Sequence, residues 1–153
     1  MKRVVCDTNV ILSGMLWNGA PRQVLARIEQ GKHNLFTSRV LLEELDRVLR
    51  YPKFITIFGK AGLGRQDVLR WMVRNSTIVM SKPLDRPVVL ADPSDDCVLA
   101  CAVSASAEAV VSGDKHLLDI HSFRGIPILT TSRFLTVRSK HPFRLIYGSC
   151  AEQ

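Results

Sequence analysis

No apolar run in this 153-residue chain approaches the roughly 20 residues that a bilayer crossing needs, so no membrane span is expected. The opening Met1-Lys2-Arg3-Val4-Val5-Cys6-Asp7 has neither the apolar core nor the small-residue cleavage site of a secretory leader, which makes a cytoplasmic location the expectation. Cysteine is sparse. Cys6, Cys97, Cys101 and Cys150 come without a leader, in a chain long enough to build a core unaided, and read as free thiols. Cys97 and Cys101 stand one helical turn apart, but no second Cys/His pair has zinc spacing and the four histidines are scattered, which argues against a structural zinc site. Gly59-Lys60-Ala61-Gly62-Leu63-Gly64 has no closing Lys-Ser/Thr and follows no convincing strand, so it reads as a connection rather than a phosphate-binding loop. Internal repeats and low-complexity tracts are absent.

What is there suits one domain over residues 1–153, folding alone or as a small homo-oligomer. Hydrophobic residues make up 46% and charged residues 23%, which fits a globular chain and not a disordered one. Lys and Arg number 21 against 14 Asp and Glu, a net charge of +7 that favours phosphate-bearing partners, nucleic acid first. Apolar runs place strands at 4–6, 34–37, 77–80, 109–112 and 127–130, with a further extended stretch at 145–147. Helical spacing covers 20–30, 39–50, 65–75, 95–106 and 132–137, with short helical turns at 54–58 and 117–118. Ser38 caps the second helix, whose stripe is Val40, Leu41, Leu42, Leu45, Val48 and Leu49, and Pro52 ends it; in the third, Val68, Leu69, Met72 and Val73 face inward. Strands alternating with helices imply an α/β fold with a mainly parallel sheet of four to five strands.

In open parallel sheets, chemistry gathers beyond the carboxyl ends of the strands, and acidic residues stand there. Asp7 follows the first strand, and Asp114 follows the strand ending near Val111. Each reads equally well as the N-cap of the next helix. In Asp92-Pro93-Ser94-Asp95-Asp96, a helix continuing through Ala102 at about 100° per residue puts Asp95 in line with Leu99 and Ala102 on the inward face. Asp96 then falls on the flank, and Asp92 precedes the helix as its cap. Glu44 lies one turn from Val40 and Val48 at the border of the apolar stripe, whereas Glu43 points away; a solvated pairing of Glu44 with Arg47 is the alternative. If Asp7, Glu44, Asp95 and Asp114 converge, their repulsion raises their pKa values and destabilises the fold unless cations occupy the cluster. Oxygen-only ligation suits Mg²⁺ or Mn²⁺, and metal-assisted phosphodiester hydrolysis is the chemistry that follows.

Taken in order, Val4-Val5-Cys6-Asp7-Thr8-Asn9-Val10, then Ser38-Arg39-Val40-Leu41-Leu42-Glu43-Glu44-Leu45 with Tyr51-Pro52-Lys53-Phe54, then Asp92-Pro93-Ser94-Asp95-Asp96, and finally Ser112-Gly113-Asp114-Lys115-His116-Leu117-Leu118 resemble the PIN-domain family. The details look most like its VapC-like branch, the toxins of toxin–antitoxin pairs. The resemblance implies a three-layer α/β/α sandwich, with Asp7, Glu44, Asp95 and Asp114 as catalytic and metal-binding acids. It further implies that Asn9 and Ser112 support the site through hydrogen bonds and that Asp92 or Asp96 contributes from behind. The implied activity is endonucleolytic cleavage of RNA with Mg²⁺ or Mn²⁺ as cofactor, and the implied partner is an antitoxin protein encoded elsewhere. Arg39, Arg47, Arg50, Lys53, Arg65, Arg70 and Arg74 are candidates for phosphate contacts, with solvated helix faces as the alternative.

Two other functions compete. A haloacid-dehalogenase-like phosphatase would also use Asp7 but would place a second Asp two positions later, where this chain has Asn9. A non-catalytic RNA- or protein-binding domain on the same fold would have no reason to keep an uncompensated acidic cluster.

Overall fold

A computed structural model describes residues 2–137. In chain order these form β1 (Lys2–Cys6), α1 (Thr8–Leu16), α2 (Ala20–Glu29), β2 (His33–Ser38), α3 (Arg39–Leu49), α4 (Pro52–Lys60), α5 (Arg65–Asn75), β3 (Ser76–Val79), α6 (Pro93–Ser104), β4 (Ala109–Val111), α7 (Lys115–Leu118), β5 (Ser122–Phe123), β6 (Ile126–Leu129) and α8 (Thr131–Thr136). The extended stretch expected at 145–147, and Cys150, lie outside the described residues. Cys6, Cys97 and Cys101 are free thiols. No helix among the described residues is long and apolar enough to cross a membrane.

The strands form one sheet in the order β3-β2-β1-β4-β6-β5, parallel throughout except for the β5–β6 hairpin. Short β-branched runs such as Val4-Val5 and Val110-Val111 have both faces covered, as parallel strands require. Alternation divides them between two cores. Val4, Cys6 and Val111 pack with α1, α2, α3, α5 and α8 through Ile11, Leu25, Leu45, Val68 and Phe134. Val5 and Val110 pack on the other face with α6 and α7 through Val98, Leu99 and Leu117. Helices thus cover both faces, giving the three-layer sandwich.

The sixth strand, β5, was not expected from the sequence. It is two residues long and is turned back by Arg124 (φ 49°) and Gly125 (φ 79°), the left-handed pair a tight hairpin needs. Other departures concern helices. Pro52 stops α3 but also opens α4 as a first-turn proline, and α4 runs through Gly59. The nine-residue α1 hides behind an apolar run, Val10-Ile11-Leu12, that shows no period. Val73 is 63% exposed, because the buried line of α5 runs through Val68 and Met72 and leaves the next residue about 100° away. Val40 is likewise 50% exposed on the first turn of α3. α6 begins at Pro93, two residues earlier than its apolar spacing suggests.

This order fixes where a site can lie. From β1 the chain builds outward through β2 to β3, then returns along α6 to start β4 on the other side of β1. The carboxyl ends of β1 and β4 therefore open on the reversal point of the sheet, where ligands of such folds bind.

Candidate metal centre

Asp7 is the first residue after β1, and its backbone N–H still donates to the Val111 carbonyl of β4 at 3.1 Å. Its Oδ1 caps α1, accepting from the Val10 amide at 2.9 Å, and its Oδ2 accepts from the hydroxyl of Ser112. Ser112, fully buried just beyond β4, also accepts from the Asp114 amide at 3.0 Å through the same Oγ. One hydroxyl thus ties the acidic residue after β1 to the acidic residue after β4. Asp114 Oδ1 caps α7 through the His116 amide at 2.7 Å.

α6 supplies the next pair. Asp92 caps it, with Oδ1 accepting from the Ser94 amide at 3.0 Å and the Ser94 hydroxyl at 2.6 Å. Asp95, one turn in, is only 8% exposed, and its Oδ2 is buried with no hydrogen-bond partner. Asp92, Asp95 and Asp114 each offer an oxygen within 4.8 Å of the others. From α3, Glu44 is half-buried and accepts from the Thr8 hydroxyl at 3.4 Å, while Glu43 is exposed and pairs with Arg39 at 2.9 Å.

The electrostatics match this crowding. Burial pushes the Asp95 carboxyl up to about 7, helped by repulsion from Asp114, Asp92, Asp7 and Glu44 in that order. Asp7 is raised by burial, against hydrogen bonds from Ser112, Val10 and Gly113 that favour its charged form. Glu44 is raised by burial too; the Thr8 bond and the charge of Arg47 oppose the shift, and Asp92 and Asp7 add to it. Among the described residues, no Lys or Arg forms an ion pair with any of these five acids. A buried, unpartnered carboxylate oxygen facing three or four other carboxylates is what a hard divalent cation relieves, and an all-oxygen donor set fits such an ion. Asp92, Asp95 and Asp114 can hold it between them, with Asp7 and Glu44 bordering.

The capping alternative and the clustering are both present. In Asp7, Asp92 and Asp114 the capping bonds engage Oδ1. The second oxygen of Asp92 and of Asp114 takes no part in capping.

Other sequence candidates fall elsewhere. Asp96 accepts from the Val88 and Val89 amides, the latter at 2.7 Å, and so pins the preceding loop onto α6. Asn9 is exposed and makes no side-chain hydrogen bond among the described residues; the hydroxyl beside it, on Thr8, reaches Glu44 instead. Thr8, Ser94 and the place of Asp92 in the three-carboxylate group escaped the sequence reading. Asp92 and Asp95 are three apart, so a helix begun one turn earlier would have put both on one side. Of the candidate phosphate contacts, Arg39, Arg50, Arg65 and Arg70 are tied up with Glu43, Asp46 and Asp67. Arg47 is the one that lines a groove of about 250 Å³ together with Glu44 and Ser94.

No curated protein matches the chain. A family model described as PIN domain matches residues 3–116, a span that includes all five acids of the centre. The chain belongs to the PIN-domain family.

Proposed function

We propose that the protein is an endoribonuclease dependent on Mg²⁺ or Mn²⁺, working in the cytoplasm as the toxin of a toxin–antitoxin pair. The observation that carries the nuclease reading is the buried, unpartnered Oδ2 of Asp95 among Asp92, Asp114, Asp7 and Glu44 at the reversal point of the sheet. PIN domains are generally metal-dependent nucleases, and the net charge of +7 favours a polyanionic substrate. The toxin setting rests on the sequence resemblance alone.

In this reading Asp92, Asp95 and Asp114 are the metal ligands, and Asp7 and Glu44 complete the catalytic centre from β1 and α3. A cation held by these carboxylates would supply Lewis acidity to the hydrolytic water and to the phosphate. The chain's own groups do the positioning. Ser112 holds Asp7 through its hydroxyl and receives the Asp114 amide, so the two acids keep a fixed spacing. Thr8 turns Glu44 toward the centre. Arg47, beside Glu44 in the groove, offers positive charge to a phosphate that enters there.

The test is cleavage of a labelled random-sequence RNA pool with Mn²⁺ or Mg²⁺ by the protein and its Asp7→Asn and Asp95→Asn variants. The expected loss is about 100-fold or more in each variant. Equal cleavage by all three would overturn the assignment.

A further inference from the structure

The groove beside Glu44 does not end at Glu44. Val40 and Cys97 line both it and a second hollow of about 240 Å³, whose remaining wall includes Pro83, Leu84, Pro87 and Ala100 with Arg86 at its rim. This second hollow is mainly apolar, with Arg86 and Asp96 its charged members, whereas Glu43, Glu44 and Arg47 line the first. Val40, half exposed on the first turn of α3, is surface that the core does not use.

The wall of the hollow is built, not incidental. Asp96 accepts from the Val88 and Val89 amides, Val89 is buried, and Leu84 and Val88 pack against the core under α6. Pro83 and Pro87 fix φ on either side of Arg86. The segment is thereby stapled to the same helical turn that carries Asp95. Adjacent residues of α6 thus serve two ends of one surface: Asp95 faces the carboxylates and Asp96 holds the apolar wall. Among the described residues Arg86 forms no ion pair, and neither does Arg47 at the other groove.

Resting on the nuclease reading, we propose that this hollow is a nucleobase subsite: it takes the base of a nucleotide flanking the phosphate that lies at the carboxylates. A flat, largely apolar body attached to an anionic chain matches an apolar hollow that Arg86 lines and that runs on, through Val40 and Cys97, into the carboxylate groove lined by Arg47. A base enters such a hollow only when it is unstacked and unpaired, so the substrate is single-stranded at that nucleotide. The prolines and the Arg86 guanidinium provide the surface against which it rests.

The test is binding without metal, read as fluorescence anisotropy in EDTA. The probes are a labelled random-sequence RNA hexamer and a hexamer of the same backbone whose sugars carry no bases. The proteins are the natural sequence, Ser81→Phe, which fills the hollow from the loop, and Ala100→Leu, which fills it from α6; a melting curve for each establishes that it is folded. The expected result is about tenfold weaker binding of the RNA hexamer by both variants, with the abasic hexamer unaffected. The proposal is overturned if the natural protein binds both hexamers alike, if the folded variants bind RNA as well as it does, or if neither hexamer binds. Mn²⁺-dependent cleavage of the RNA pool is scored separately. Its persistence alongside any of those results removes the subsite and leaves the nuclease; its absence removes both.

Discussion

Asp95 carries a free-energy cost that a bound cation would relieve. Its carboxyl is buried, faces four other acids and has one oxygen without a partner, and its pKa is raised to about 7. A carboxyl whose folded pKa lies above its unfolded value stabilises the fold while protonated. The contribution of Asp95 to the stability of the metal-free protein is therefore full below the ordinary Asp range near pH 4 and is lost as pH rises through about 7. In EDTA the melting temperature should fall between about pH 4 and pH 7, and Asp95→Asn should recover on the order of 5 °C at pH 8 and almost nothing at pH 4. Equal melting of the two proteins at pH 8 would deny the strain. Ser112 makes the complementary case. Ser112→Ala leaves a buried Asp7 oxygen without its donor, and should cost about 1–3 kcal/mol in denaturant unfolding while cutting cleavage roughly 10- to 100-fold. The phase of single residues was legible: Glu44 and Asp95 are the half-buried or buried members of their pairs, and Glu43 is exposed. Thr8 was not, because its bond to Glu44 spans 36 positions and no local pattern encodes it.

Helices and strands were legible where burial is one-sided. α2, α3 and α5 came out close to their sequence bounds because each has an apolar stripe and a stop signal such as Gly31 at φ 73°. α1, expected only as a turn or helix start behind Asp7, had no legible extent because Val10-Ile11-Leu12 shows no period, and β5 was missed because two residues have none. α1 also sits unusually close to α2. A Cβ on Gly14 would lie 2.5 Å from Leu25 Cδ1 and 2.9 Å from the Pro21 carbonyl oxygen, and Leu25, fully buried, cannot swing aside. Gly14→Ala should therefore destabilise the fold by about 1–3 kcal/mol, read as a lower denaturant midpoint, with the midpoint shift unchanged by adding Mn²⁺. A midpoint equal to that of the natural protein would mean the two helices are less tightly apposed.

Across the protein, charge and topology act together. A chain of net charge +7 collects five of its 14 acids at one point, where β1, β4, α3 and α6 meet at the reversal of the sheet. The position of that point followed from the order of elements in the sequence, since alternation of strands and helices implies a parallel sheet with its chemistry at the strand ends. The spacing of the acids did not follow, because it depends on caps and on Ser112 bridging two strands. If cations compensate this cluster, their binding should be strong enough to see without any substrate. Calorimetric titration of Mn²⁺ into the metal-free protein near pH 8, beside Asp95→Asn and Asp114→Asn, reads that directly. Saturable binding by the natural protein, weakened at least about tenfold in both variants, is the predicted result. Undetectable binding up to millimolar Mn²⁺, or equal binding by all three proteins, would contradict a metal centre at these carboxylates.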